Sequence, residues 1–357
     1  MAETWRLLDT GLGSAARNIA LSRALLEARA ADEIASTLRF TRYARCALLG
    51  SHQSAAQELD AAECMAHQAA VQRRITGGAA WFVDERQLGW ELYLHRRDVG
   101  AGDMNAITKR VAHAAATGLS ALGLDARYRS RDEIEVEGRT LCYAAHATEG
   151  DAVLVQAVLL VDVDFERMAG ILRLPVEFRG AATIDPVRAR FAGLKDVLTR
   201  APDLLRVKAN LAEAFESEFD VELRECDLNL TEHSRYAPAL GEIDTRDWAE
   251  LHARPASDVR VCEAQRAVKG GLLRASIRYD AAARTIRQVW FQGDGGVGLM
   301  PGRTLFDLEA SLRDLPVARL ARQVEWFFAS PAVRCEGVEP RDFVSVVKLA
   351  AGEPLLA

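Results

Sequence analysis

Residues 73–84, RRITGGAAWFVD, hold the densest chemistry in the chain. Arg73 and Arg74 stand ahead of a Gly77–Gly78 pair, an order that can set two guanidinium groups and close-approaching backbone N–H groups beside a bound anion. Thr76 and Ala79 complete this loop, and Asp84 closes the segment. Taken alone, the same residues also make a basic helix end followed by a β-turn. Trp81 and Phe82 read either as core aromatics or as the wall of an apolar ligand pocket. Cys142 would need an electropositive setting to act as a nucleophile, and none of its neighbours supplies a lysine, so a buried structural thiol is the simpler reading. His146 reads in the same way, as a polar residue at a strand end. Asp162 and Asp164 are spaced like metal ligands, but Asp164 also stands where it would cap a helix starting at Phe165. No metal site is assigned.

The elements that must carry these residues follow from hydrophobic periodicity. A helix is expected over Asn18–Ala30, and Thr37–Gly50 reads as strand, loop and short apolar strand. Ala55–Val71 has helical composition and runs into the arginines, with Gly77–Gly78 as the break. Met104–Leu122 is helical, with Gly123 as a stop. Ala126–Arg129, Glu133–Val136, Thr140–Ala147 and Val153–Asp164 alternate as strands of a mostly antiparallel sheet with polar turns between them. Helices are expected at Phe165–Leu172, Pro186–Thr199 and Val207–Phe219. His233–Pro255 is proline-containing, and a linker is placed around residues 249–260. Beyond it, Gly271–Tyr279 and Thr285–Gln292 form a two-stranded unit, followed by helices at Leu305–Arg313, Val317–Ala329 and Pro340–Ala351. Helices mixed with antiparallel strands give an α+β class, and 357 residues call for two domains, 1–250 and 251–357.

Composition narrows the function classes. The formal charge of −6 gives no general attraction to nucleic acid or to an anionic membrane surface. No stretch approaches the roughly 20 apolar residues of a membrane span, and the opening MAETWRLLDTG lacks the pattern of a signal peptide. A cytoplasmic location is the default. Cys46, Cys64, Cys142, Cys226, Cys262 and Cys335 are scattered, so neither a disulfide framework nor a zinc site is expected. Lysine is scarce. All of the 45 Lys+Arg residues are arginine except Lys109, Lys195, Lys208, Lys269 and Lys348, which limits where a reactive amine or compact ammonium can come from.

An ordered series of segments resembles the lipoate–protein ligase A family, part of the biotin/lipoate ligase superfamily. WRLLDTGLGSAARNIALSRALLE resembles its opening strand and helix, and CALLGSHQ (46–53) its strand ending in glycine. RRITGGAAWFVD resembles its RR-x-[ST]-GGG-A-V-x-H-D signature, and GRTLCYAAH (138–146) its G-x-K-[IV]-x-G-S-A segment. VLLVDVDFERM (158–168) follows at the expected place. KGGLLRASIRYD (269–280), VWFQGD and LFDLEASL resemble the small accessory domain. The resemblance implies a biotin/lipoate ligase-like sheet flanked by helices, with a C-terminal accessory domain. It also implies two-step chemistry, in which lipoate and ATP with Mg2+ give an acyl-adenylate and the acyl group then passes to a lysine of a carrier protein. Arg73, Arg74, Thr76, Gly77, Gly78 and Ala79 would bind the ligand. Asp84 is a further candidate.

The chain departs from that family at its chemical centre. Ala79 replaces the third glycine, Val83 the histidine, Thr140 the lysine and Tyr143 the glycine that follows it, and Gln156 stands where a second histidine is expected. A threonine brings no charge to a site where charge grows in the transition state, and losing a preorganised charged donor costs ~3–4 kcal/mol. Arg139 does not replace it, because neighbours on a strand face opposite ways. Cys142 would share the face of Thr140 if that strand is regular. Two readings follow: a diverged, adenylation-deficient binding protein for an acyl ligand or lipoyl carrier, or a working ligase or acyltransferase with rearranged groups. A subunit reusing the fold for protein contact is a third, non-enzymatic option.

Overall fold

The computed structural model describes residues 3–51, 53, 55–100, 104–129, 133–172, 184–200, 203–250, 259–269, 271–295, 302–330, 333, 335 and 337–354. They divide into two units, the first ending at Glu250 and the second beginning at Val259. His52 and residues 251–258 of the expected linker lie outside the described residues.

The strands of the first unit are β1 (Glu3–Gly13), β2 (Thr37–Tyr43), β3 (Cys46–Leu49), β4 (Ala70–Arg73), β5 (Trp81–Val83), β6 (Leu88–His95), β7 (Arg127–Arg129), β8 (Glu133–Val136), β9 (Arg139–Glu149), β10 (Ala152–Leu159) and β11 (Val221–Glu225). Its helices are α1 (Ala15–Ala30), α2 (Ala55–Glu58), α3 (Ala61–Ala66), α4 (Arg96–Val99), α5 (Met104–Ser120), α6 (Phe165–Ile171), α7 (Ile184–Arg190), α8 (Leu194–Val197), α9 (Leu204–Phe219), α10 (Leu230–Ile243) and α11 (Arg246–Ala249). Among the described residues, eight strands form the main sheet in the order β11-β1-β2-β6-β10-β9-β8-β7. β1 runs parallel to both neighbours, and the other pairings are antiparallel. A smaller sheet, β4-β3-β5, carries the Arg-Gly loop between its outer strands. This is the mixed, mostly antiparallel α+β architecture that the sequence implies.

Strand alternation decides what each face of the main sheet holds. Leu38 and Phe40 of β2, Trp90 and Leu92 of β6, and Val153, Val155 and Leu159 of β10 pack with Val111 of α5 and Leu211 and Phe215 of α9. The intervening residues Arg39, Glu91 and Gln156 therefore face the other way, towards α1 and the smaller sheet. There Ile19, Tyr43, Leu48, Trp81, Ala145 and Val158 form a second core.

Several elements differ from the expected ones for local reasons. The expected helix over Ala55–Val71 is α2 and α3, separated where Asp60 caps α3 by accepting from the Ala62 and Glu63 amides, and then strand β4. Gln68 at φ +50° ends α3 and turns the chain into β4. Pro186–Thr199 is broken into α7 and α8. Just ahead of His233–Pro255, Asn229 and Glu232 form a capping box that starts α10, which runs into that stretch and tolerates Pro238 inside it. β11 follows α9 and pairs with β1, a strand that composition did not flag.

The second unit holds β12 (Val259–Val268), β13 (Gly271–Asp280), β14 (Thr285–Gly295), β15 (Leu315–Pro316), α12 (Gly302–Ser311), α13 (Leu320–Phe328) and α14 (Pro340–Ala351). Among the described residues its sheet is four-stranded and antiparallel, β12-β13-β14-β15, where two strands were expected. β12 was hidden because its first residues fall in the stretch read as linker. Ile277, Phe291, Leu308, Val324 and Phe343 centre its core. Among the described residues, no helix is long and apolar enough to cross a membrane.

Candidate functional site: the arginine–glycine loop

Arg73 ends β4, and Arg74 is fixed by its amide donating to the Leu49 carbonyl at 2.9 Å. Both arginines are almost wholly buried, at 2% and 0% exposure, so neither guanidinium lies open to solvent. Arg73 donates to the carbonyls of Gly50 (2.9 Å), Ser51 (3.2 Å), Trp248 (3.3 Å) and Ala249 (3.0 Å), and its own carbonyl accepts from the Trp248 indole. Its side chain thus ties the loop to α11. Arg74 lies over the Trp81 ring, 3.7 Å from the centroid, and donates to the carbonyls of Leu48 (3.0 Å), Gly77 (2.6 Å) and Ala79 (2.7 Å) and to the Thr76 hydroxyl (3.0 Å).

That arrangement shapes the loop for an anion. Because the Gly77 and Ala79 carbonyls point at Arg74, the trans peptides turn the N–H groups of Gly78 and Ala80 to the opposite side. Gly78 sits at φ +88°, where a side chain is strained, and is exposed. Neither arginine has a carboxylate partner among the described residues, and burial pulls the pKa of both below the usual arginine range. Two desolvated cations without a counter-charge, under outward N–H groups, make a site whose energy falls when an anion arrives.

The other predicted residues separate into two groups. Thr76 is buried and belongs to the loop, accepting from Arg74 and donating to the Gln156 Oε1 atom at 2.8 Å. Gln156 lies beneath it on β10, and Ala79 fits because its φ is not in the left-handed region. Asp84 is not brought to the loop. It is buried within its own turn, accepting from the Arg86 amide (3.0 Å) and guanidinium (2.6 Å). Asp164 caps α6 by accepting from the Arg167 amide, and Asp162 pairs with Lys195 at 3.0 Å. Among the described residues, no group of three or more His, Cys, Asp or Glu side chains is arranged to hold a metal ion.

Thr140 and Cys142 do not share a face. The β8–β9 register shifts between Ile134 and Glu135, so that Cys142 opposes Ile134, Thr140 opposes Glu135, and Leu141 is the extra residue of a bulge. The bulge turns Thr140 to the face of Tyr143 and Ala145, while Leu141 and Cys142 both enter the α5–α9 core. Thr140 donates to Glu133 at 3.2 Å, and its carbonyl accepts from the Ala192 amide. Arg129 of β7 lies 3.7 Å from Glu133, the carboxylate that Thr140 bonds, and 3.8 Å from Glu135. Burial pushes the Cys142 thiol up to about 12, which removes it as a nucleophile at neutral pH. Cys142 is therefore expected to resist maleimide in the native protein at pH 7–8 and to label only on unfolding, as read by mass spectrometry.

Sequence reading missed Arg39, Glu91 and Tyr43, which lie beneath Gln156. A signal was present: Arg39 between Leu38 and Phe40, and Glu91 between Trp90 and Leu92, are charges flanked by large apolar residues within strands, which marks buried rather than solvated groups. It named Gly50 only as the end of a strand, and an added Cβ there would lie 2.1 Å from the Gly78 carbonyl oxygen.

Comparison with known proteins gives consistent relatives. Residues 14–216 match the model of the lipoyl protein ligase A/B catalytic domain. The octanoyltransferase LipM of Kyrpidia tusciae is 26% identical over 274 residues, which cover 69% of this chain and 98% of that protein. Among solved structures, the bi-partite lipoate protein ligase of Thermoplasma acidophilum, described with its E2 lipoyl domain, superposes with a TM-score of 0.62 at 24% identity, covering 71% of this chain and 98% of its own. A P. falciparum protein in complex with lipoate superposes with a TM-score of 0.58 at 14% identity over 97% of this chain and 98% of its own. At these identities the two structural likenesses speak for the fold.

Proposed function

The chain belongs to the lipoyl protein ligase A/B catalytic-domain family, and from that premise we propose that it binds a lipoyl- or octanoyl-type acid, or its adenylate, through the anionic end at the Arg74–Ala80 loop, without lysine-assisted adenylation of that acid. The observation that carries this reading is the pair of buried arginines with no carboxylate partner among the described residues, set under outward N–H groups. Against catalysis by the familiar route stands Thr140, whose hydroxyl is committed to Glu133 where the family it resembles has an ammonium. Lys195 is held by Asp162. A lipoyl carrier domain is the proposed protein partner, in line with the E2 lipoyl domain of the Thermoplasma system.

A second reading draws on similarity to an octanoyltransferase along 98% of that protein's length. In it the chain is an active ligase or acyltransferase that attaches lipoate or a related acid to a carrier lysine through an acyl-adenylate formed with ATP and Mg2+.

ATP–pyrophosphate exchange across lipoate, octanoate and biotin, run beside an active family member, separates the two. The expected result is no acid-dependent exchange, together with a higher melting temperature in lipoyl-adenylate. Acid-dependent exchange above background transfers the weight to the second reading, and absence of any stabilisation by acid, adenylate or carrier domain overturns the first.

A further inference from the structure

Arg39 of β2, Glu91 of β6 and Gln156 of β10 stand directly opposite one another in register, and the row continues to Ala145 of β9. All three polar residues are buried. A Cβ on Gly78 would approach Ala145 at 3.7 Å, beside the Arg74 guanidinium at 3.3 Å, so the row ends beneath the loop. Its origin is heavily anchored. Glu91 accepts from Arg39 (2.8 Å), Ser22 (2.9 Å), Gln156 (2.7 Å) and the Tyr93 hydroxyl, while Arg39 is held in turn by Thr10 (2.9 Å) and Asn18 (3.0 Å).

Each bond in the row takes its direction from that carboxylate. Glu91 only accepts, so Gln156 must turn its NH2 group towards it, and the Gln156 Oε1 atom then faces the loop. There it accepts from the Thr76 hydroxyl at 2.8 Å. With its hydrogen spent, the Thr76 oxygen can only accept, and it does so from the Arg74 Nε atom at 3.0 Å. The Gln156 amide also donates to the Tyr43 hydroxyl at 3.3 Å.

We propose that Gln156 and Thr76 are positioning residues for the anion site: the Glu91 carboxylate, locked by Arg39, sets the orientation of the Gln156 amide and through Thr76 the roll of the Arg74 guanidinium. That roll aims the donors of Arg74 at the Gly77 and Ala79 carbonyls and so fixes the outward N–H groups. Gln156 is then a member of a polar row built for the loop rather than the relic of a lost histidine. The dependence of anion affinity on the row rests on the function proposed above, whereas the ordering of the loop does not.

The test uses the full chain with Thr76→Val, which keeps the shape and removes the hydroxyl, and Thr76→Ser, which keeps the hydroxyl. Residue-resolved amide exchange is read at Ser51 and Gly77, whose N–H groups donate to the Thr76 and His146 carbonyls, with β10 amides as internal reference. Inorganic pyrophosphate titration gives the anion affinity. Thr76→Val is expected to speed exchange at Ser51 and Gly77 and weaken pyrophosphate binding, each about tenfold, with β10 unchanged. Thr76→Ser restores both. Loop exchange in Thr76→Val equal to wild type, or no rescue by serine, overturns the proposal. If the valine variant does not fold, Gln156→Asn, too short to span Glu91 and Thr76, gives the same reading. Wild-type protein that ignores pyrophosphate sinks the anion role of the loop, and exchange still decides the row.

Discussion

Glu91→Gln is expected to lower the free energy of unfolding by about 3–5 kcal/mol. Arg39 and Glu91 are 0% and 1% exposed at the side chain and bonded at 2.8 Å, so removing the carboxylate charge leaves a guanidinium desolvated with no counter-charge. Adding Arg39→Met to Glu91→Leu removes that penalty, because two apolar groups in the same volume need no partner. The double variant should still fall short of wild type by about 1–3 kcal/mol, since Ser22, Gln156 and Tyr93 lose the acceptor they share. Urea unfolding of Arg39→Met, Glu91→Leu and the double variant measures the cycle, with Glu91→Gln run beside them. A Glu91→Gln midpoint equal to wild type would mean that the pair is not closed in solution, and the polar row would lose its anchor.

The fold was legible wherever a local rule acts alone. Alternation with β-favouring residues gave β7 to β10, the Glu137–Gly138 turn has both residues at positive φ, and the turn that follows α5 ends at Gly123 at φ +89°. Legibility failed where pairing partners distant in sequence decide. Ala70–Arg73 has a composition that continues a helix, and it becomes β4 because β3 offers a parallel edge. The bulge at Leu141 has no signal within its own strand, since it comes from the match between β8 and β9, and it alone reverses the relation of Thr140 to Cys142. Within the site, the types of residue at 73–79 were readable but their direction was not. Sequence cannot say that both arginines point inward to carbonyls and work through the backbone they hold.

The glycine that the loop needs most is Gly50, and Gly50→Ala is expected to cost about 3 kcal/mol and to abolish tight pyrophosphate binding. Its Cβ would stand 2.1 Å from the Gly78 carbonyl oxygen and 3.1 Å from its carbon, and neither is the free end of a side chain that can swing away. Moving Gly78 means disturbing a φ of +88° and the carbonyls on either side that Arg74 holds. Gly77→Ala makes the contrast. Its Cβ meets nothing within 4 Å, so stability should stay within about 0.5 kcal/mol of wild type. Any loss of pyrophosphate affinity in that variant then reports a ligand lying against residue 77, free of a folding defect. Melting curves and titrations on the two variants therefore separate the shape of the loop from its occupancy. If Gly50→Ala is as stable as wild type, the loop is not packed on the end of β3 and its outward N–H groups are not preset. The same geometry accounts for Ala79: at that place the backbone is ordinary, and the demand for glycine lies where the strand and the loop touch.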